Sequence, residues 1–499
     1  MSTLTRRTFN GIKWTATSTI TNLILQLGYT AVMARLLDPV AFGLVAMANV
    51  VLRFGGYFAN MGMSQALIQK ETLTQRDIQS AFTSSILLGG LFTVVIYFLA
   101  PAIAIVVFKD TEVIPIVRVL SLTFLLSGLS STSGSLLRRK LNFKPLSIVQ
   151  IVSFGIYAAL GIFLALQGYG VWSLVYASLF QSFFSSAVVY LMVRHSLKPY
   201  FKWSVYKPLF AFGGKISIIS FLEFISISLD TMFIGRYLGS ALLGIYNRAN
   251  MIIQMPLYKL NTSVSGVLFP AFSSLQKERQ KLKRVYLSSS SVVAFVFLSL
   301  SAGAAVASES IVLVLLGDEW REAVPVLRIV AMIVPFKMLS HYGGIICDAT
   351  ATLNVKLGLE VMYIAALAGV LFLIRNESLN DYALAILCME GLKFTVYMFI
   401  TKNILGIRMP EYFKAYLPAI LSATIISAAI FITNRMMESL NLSYALQLTL
   451  NMATGSTVLI IVLFLNFNKP VWNELNDKIF SQVRFFDKTM NGLYSKIHK

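Results

Sequence analysis

The chain has 499 residues, of which 57% are hydrophobic and only 13% charged, with a mean hydropathy of +0.73 and a formal net charge of +20. Soluble globular proteins carry about 25% charged residues, so composition excludes a soluble enzyme and points to an all-α polytopic membrane protein. The two cysteines, Cys347 and Cys388, both lie in apolar runs, which leaves no disulfide framework and no zinc cluster.

A membrane-spanning helix takes about 20 residues. Apolar runs of that order fall at 14–37, 40–64, 81–107, 113–137, 146–167, 170–193, 209–235, 241–272, 287–314, 322–348, 358–374, 379–400, 415–434 and 443–467. Fourteen transmembrane helices are therefore expected. The residues before the first run are polar and basic, the character of a cytosolic end rather than of a cleavable signal peptide. With that end in the cytosol, 28 of the 42 Lys and Arg fall on the cytosolic side and six in the opposite loops. This positive-inside bias puts both termini in the cytosol and assigns the basic clusters at 138–144 and 277–284 to cytosolic loops, not to nucleic acid. The basic tail, 468–499, has the composition of a cytosolic or lipid-facing segment or of a scaffold for partner enzymes.

Shifting the chain by 201 positions lays RLLDPVAFGLVAMAN (35–49) over RYLGSALLGIYNRAN (236–250). Arg35, Leu37, Gly43, Ala48 and Asn49 meet Arg236, Leu238, Gly244, Ala249 and Asn250, and further on Asn60, Ser64 and Leu67 meet Asn261, Ser265 and Leu268. Six spans separate the copies, so both have the same orientation. The expected organisation is two parallel six-helix lobes, 1–208 and 209–414, with spans 13 and 14 (415–467) and the tail (468–499) appended. Parallel repeats around a midplane site are a transporter design.

Polar residues within the spans form stripes. Thr15, Thr19, Asn22, Gln26 and Tyr29 recur on one face of span 1, as do Asn49, Arg53, Asn60 and Ser64 on span 2. The repeat maps Thr19, Asn22 and Tyr29 onto Ser220, Glu223 and Asp230, and the span 2 stripe onto Asn250, Gln254, Asn261 and Ser265. One central cavity lined by spans 1, 2, 7 and 8 is the expectation. The alternative is that the hydroxyls and amides are hydrogen-bonded glue between helices.

Ionisable residues carry more weight, because one at a helix centre costs about 2.5–3.5 kcal/mol on insertion scales. Arg53 and Glu223 sit mid-span, Asp230 lies outward of Glu223, and Arg248 lies at similar depth to Asp230, so that those two are expected to pair. Lys215 and Lys259 either serve the cavity or snorkel to the cytosolic surface. Arg118, Lys337 (one turn from His341), Glu360, Glu390 and Lys393 complete the set, with Glu390 and Lys393 spaced for a local i,i+3 pair. A cationic cavity suits an anionic substrate. A buried carboxylate, Glu223 with Asp230, suits coupling to an ion. The sequence has no GxxxxGK[ST] loop and no HExxH pair, so neither ATP-driven transport nor catalysis by this chain is expected. No cofactor is expected.

RLLDPVAFGLVAMANVV (35–51) with GMSQALIQK (62–70), and RYLGSALLGIYNRANMI (236–252) with FPAFSSLQKER (269–279), resemble the two lobes of Wzx-type polysaccharide flippases of the MOP superfamily. The resemblance runs over about residues 5–465, most strongly to the colanic-acid and teichuronic-acid exporter branch. It implies two rocking lobes that carry a polyprenyl-pyrophosphate-linked oligosaccharide across the bacterial inner membrane, with proton or sodium counter-transport as the usual energy source. It also implies a monomeric transporter among membrane lipids, working beside polysaccharide polymerase or export machinery.

Family members line the cavity with basic residues, to which Lys13, Arg53, Lys215, Arg248 and Lys259 correspond here. Asn22, Gln26, Tyr29, Asn49 and Asn60 would then contact sugar. Peptidoglycan-precursor flippases carry an Arg–Asp pair in the first helix. Asn22 and Gln26 stand mid-span here, which argues against that substrate. The competing readings are an exporter of cationic drugs, disfavoured by the basic excess within the spans, and a membrane glycan polymerase or ligase, disfavoured by outer loops of about ten residues or fewer.

Overall fold

The computed structural model describes residues 3–59, 67–68, 72–200, 203–440 and 442–464, and among them the regular structure is entirely helical. The chain forms two compact units, Met1–Arg248 with Ile364–Leu379 and Ala249–Tyr363 with Asn380–Lys499.

The first unit holds α1 (Thr3–Met33), α2 (Pro39–Ala59), α3 (Gln75–Ile103), α4 (Val113–Arg139), α5 (Phe143–Leu166), α6 (Val171–Val193) and α7 (Trp203–Ser274) as far as Arg248. The start of α3 is fixed by a capping box. The Thr74 hydroxyl accepts from the Asp77 backbone N–H at 3.3 Å, and the Asp77 carboxylate accepts from the Thr74 N–H at 2.9 Å. Pro101 removes a donor near the other end of α3, and the chain leaves through a π-helical turn, Ala104–Phe108, closed by Lys109 in the left-handed region at φ 55°. A Cβ built on Gly89 would lie 2.6 Å from the Phe124 carbonyl oxygen, and one on Gly128 would lie 2.5 Å from that of Ser85. α3 and α4 thus meet backbone to backbone, the close approach that small residues permit between helices in lipid.

α7 is one continuous run of 72 residues, broken only at Gly239, whose φ of 86° no side-chain-bearing residue adopts readily. The two runs expected at 209–235 and 241–272 are its two arms.

The second unit holds α8 (Arg279–Val306), α9 (Ser308–Leu315), α10 (Ala323–Ala349), α11 (Leu353–Leu373) as far as Tyr363, α12 (Leu379–Leu405), α13 (Met409–Ser439) and α14 (Tyr444–Phe464). α8 packs against both α10 and α13. The Ser291 hydroxyl donates to the Ala415 carbonyl at 2.6 Å, and Ser299 and Ser422 share a hydrogen bond of 3.0 Å. Farther out, the Asn434 amide donates to the Val306 carbonyl, and the Asn451 amide reaches Asn434 at 2.8 Å. Spans 13 and 14 are therefore packed, hydrogen-bonded members of this unit.

Among the described residues, eleven helices are long and apolar enough to cross a membrane, and the chain is a multi-pass membrane protein. The apolar run at 287–314 is made of two helices, α8 and α9, which meet at Ala307. There, side chains of α13 and α14 fill the gap, with Ala307 packed against Ile426 and Ile430.

Candidate functional site

The two copies of the repeated motif meet inside the first unit. A Cβ on Gly43 would collide with the Ser240 carbonyl, and one on Gly244 with the Pro39 carbonyl. At an offset of 201, Gly43 corresponds to Gly244 and Pro39 to Ser240. The contact is therefore crosswise, each copy's glycine on the other copy's equivalent carbonyl, as a two-fold axis between them produces. Only glycine permits either approach. Nearby, the Arg236 guanidinium donates to the carbonyls of Val106 and Val107 in the π turn, groups that such a turn leaves open.

Arg53 is exposed on α2 and lines a pocket of about 240 Å³ with Asn49, Leu52, Gly56, Ser85, Thr123, Phe124, Ser127 and Gly128. The periodicity that put Asn49 and Arg53 on one face thus brings them to one surface. The hydroxyls of Ser85, Thr123 and Ser127 come from α3 and α4, outside the helices the stripes picked out. Their sequence signal is the clustering of Ser and Thr in α3 and α4, which reads equally as packing glue. An arginine, an asparagine and three hydroxyl-bearing residues around a cavity of this size match an anionic or polyhydroxy group.

The other expected site residues are scattered. Tyr29 is buried in the seam between α1 and α5, its ring 4.8 Å from that of Tyr157 and 6.1 Å from that of Phe154. Asn22 and Gln26 are half-buried, and Lys13 is exposed near the start of α1. The expected Asp230–Arg248 pair is corrected. The Asp230 carboxylate is taken by the Tyr246 hydroxyl at 2.7 Å and by the N–H and hydroxyl of Thr231 at 2.6 and 3.2 Å. Arg248 lies instead over the Phe42 ring at 4.3 Å and donates to the Asn247 side chain at 3.4 Å, leaving its Nε without a partner. Asn60 and the side chains of Lys215, Glu223 and Lys259 lie outside the described residues.

The second unit contains a charged network. The expected local pair of Glu390 with Lys393 is corrected: the Lys393 ammonium binds Glu360 of α11 at 3.0 Å. The Tyr397 hydroxyl donates to the other Glu360 oxygen at 3.4 Å, and the Tyr363 hydroxyl donates to Glu390 Oε1 at 2.9 Å. The partner helix supplies both carboxylates with better-aligned groups than i,i+3 spacing does. Lys356 pairs with Asp348 at 2.9 Å, and Ser265 hydrogen-bonds His341 at 3.1 Å.

Fold and site together define a multi-pass membrane transport protein with a cationic polar pocket. Residues 32–325, more than half of the chain, match the family model described as polysaccharide biosynthesis protein, and the chain belongs to that family. It is 25% identical over 476 residues, 93% of this chain and 96% of the relative, to the teichuronic acid biosynthesis protein TuaB of Bacillus subtilis. To the lipopolysaccharide biosynthesis protein WzxC of Escherichia coli it is 24% identical, covering 72% of this chain and 73% of that one. The fold is similar to that of the lipid II flippase MurJ, with a TM-score of 0.72 and 14% identity over 90% of this chain and 98% of MurJ. A multidrug resistance MATE transporter of the MOP superfamily follows at TM-score 0.61 and 16% identity, covering 77% and 94%. The likeness read at the repeat junctions thus extends, in TuaB, over 93% of this chain.

Proposed function

We propose that this protein flips a polyprenyl-pyrophosphate-linked oligosaccharide from the inner to the outer leaflet of the bacterial plasma membrane by alternating access. The observation that carries the reading is Arg53 with Asn49 on a hydroxyl-lined pocket, in a chain whose relatives serve polysaccharide biosynthesis. Arg53, Lys215 and Arg248, aided by Lys13 and Lys259, bind the pyrophosphate or acidic sugars. Asn22, Gln26, Asn49 and Asn60 contact sugar, and Tyr29 supports the seam beside them. Counter-transport of an ion through Glu223 and Asp230 drives the cycle.

In this reading α1 and the two arms of α7 join the eleven helices to make fourteen spans, in lobes 1–208 and 209–414 followed by 415–467 and the tail 468–499. Both termini face the cytosol, and the transporter works as a monomer beside the polysaccharide polymerase or export machinery.

The test is the sidedness of lipid-linked oligosaccharide in membranes depleted of the protein, read by an impermeant sugar-binding probe. Accumulation on the cytosolic leaflet, reversed by restoring the protein, is expected. Unchanged sidedness with altered glycan length would replace the reading with polymerisation. Losing a charge-assisted hydrogen bond costs about 1.5–3 kcal/mol. Arg53→Ala should therefore cut export about tenfold or more at unchanged membrane abundance, and normal export would remove Arg53 from the site.

A further inference from the structure

The charged network of the second unit contains one carboxylate too many. Glu360 is satisfied at both oxygens, by Lys393 and Tyr397. Glu390 is 4% exposed, takes the Tyr363 hydroxyl on Oε1, and has no hydrogen-bond partner on Oε2. It stands eleven residues into α12, about 17 Å from the helix start at 1.5 Å per residue, deep within the span. The Lys393 ammonium lies 4.2 Å over the Tyr363 ring, so Tyr363 touches both Glu390 and Lys393.

The neighbours do not cancel the excess. On α10, Asp348 is balanced by Lys356 of α11, and His341 is hydrogen-bonded to Ser265 while standing in electrostatic range of Lys356, Asp348, Lys393 and Glu360. Lys337, also on α10, makes no ion pair with either glutamate. Tyr416 of α13 stands beside the cluster, against the Phe394 ring. Two carboxylates and one ammonium, desolvated together, leave one negative charge that must be neutralised. A metal cation takes several oxygen ligands, and the cluster offers one open oxygen. One proton suffices.

We propose that Glu390 binds one exchangeable proton, and that its release draws Lys393 from Glu360 to Glu390. Lys393 is one helical turn from Glu390 and one ion pair from α11, so it can serve either carboxylate by a change of rotamer. Protonated Glu390 is neutral, and Lys393 ties α12 to α11. When the O–H bond breaks and the proton leaves to water, Glu390 competes for Lys393 and the tie between the helices loosens. Protonation is thereby converted into a change of helix packing, as coupled transport requires. The coupling role rests on the flippase reading; the proton site does not.

The experiment is infrared pH titration of the full-length protein in lipid, following the carbonyl stretch of protonated carboxyls. The wild type should show a titrating band from the second unit that is lost in Glu390→Gln. In Lys393→Met that band should persist and a second should appear, from the Glu360 left unpaired. Identical titrating bands in wild type and Glu390→Gln would overturn the proposal. Erasure of the band by sodium at fixed pH would also overturn it, in favour of a metal cation. Should Glu390→Gln fail to fold, Tyr363→Phe serves in its place: loss of the hydrogen bond must shift the band, and an unmoved band counts against Glu390. In cells, Glu390→Gln should weaken the dependence of export on a pH gradient, beside the coupling assigned to Glu223 and Asp230. If sidedness is unchanged by depletion while the band behaves as stated, the flippase reading fails and the proton site stands.

Discussion

The repeat expected from the sequence would match spans 5 and 6, α5 and α6, with spans 11 and 12, α11 and α12. Chemically the two pairs differ. α5 carries one charged residue, Lys144 in its first turn, and α6 carries none, whereas α11 and α12 contain Lys356, Glu360, Asp381, Glu390, Lys393 and Lys402. The α5 seam is closed by aromatic rings, Tyr29 against Phe154 and Tyr157, with Gly161 making room for the Tyr29 ring. Between α11 and α12, the Lys393–Glu360 ion pair and tyrosine hydroxyls take that role. Nearly all of the charge of the four helices therefore lies in α11 and α12. An apolar seam holds its geometry at any pH, while a charged one moves when a proton does. The division fits a substrate pocket beside Arg53 in the first half and an energy-coupling element in the second.

The largest effect should come from making the second seam resemble the first. Breaking a buried ion pair by removing one partner costs about 3–5 kcal/mol, whereas replacing both partners is often close to neutral. Lys393→Met alone should lower stability markedly, and Lys393→Met with Glu360→Gln should recover most of the loss. Thermal unfolding in lipid checks this; equal losses in the single and double variants would show that the pair does not hold α11 to α12.

A smaller effect distinguishes two glycines that accommodate tyrosines. A Cβ on Gly343 would lie 2.9 Å from Cβ, Cγ and Cδ1 of Tyr397, near the root of the side chain, whereas one on Gly161 would press first on the far, hydroxyl end of Tyr29. The far end of a side chain can swing aside, and its root cannot. Overpacking typically costs about 1–3 kcal/mol. Gly343→Ala should fall within that range and Gly161→Ala below it, as thermal unfolding of the two variants side by side would report. Because Tyr397 also donates to Glu360, Gly343→Ala should disturb the charged network as well.

The sequence-level signals divide along the same line. The membrane-spanning, all-helical character, the Gly43/Gly244 repeat and the cationic position of Arg53 follow from local composition and period, and these were legible. Partners across helices were not. Spacing along α12 offers Glu390 to Lys393, but only the approach of α11 reveals Glu360 as the partner actually taken. Asp230 likewise has Arg248 at a suitable depth, yet Tyr246, on the next arm of α7, reaches its carboxylate. Ser85, Thr123 and Ser127 could not be separated from packing hydroxyls until Gly89 and Gly128 brought α3 and α4 together. In a membrane chain, hydropathy reports which residues leave water, and it is silent on which of them meet.

The smallest expected effect concerns the histidine packed just beyond the end of α6, outside the span. His195 lies edge-on to Phe82 and Tyr190, with ring centroids at 4.8 and 5.4 Å. Burial there holds its imidazole below the ordinary histidine range, against a weaker opposing hydrogen bond to the Ser196 carbonyl. A depressed value means that the unfolded chain binds the proton more readily than the folded one. The stability contributed by neutral His195 is therefore fully present above about pH 6.5 and declines as pH falls through the lowered folded-state value. Gln79 and Thr83 of α3 tie down the same segment through Ser196 and Tyr200, so the loss should stay local and modest. Thermal unfolding of wild type and His195→Phe, compared on either side of that window, should show a decline in the wild type that the variant lacks. Parallel curves would mean that His195 exchanges its proton freely, and that the first half has no pH-sensitive packing even at its rim.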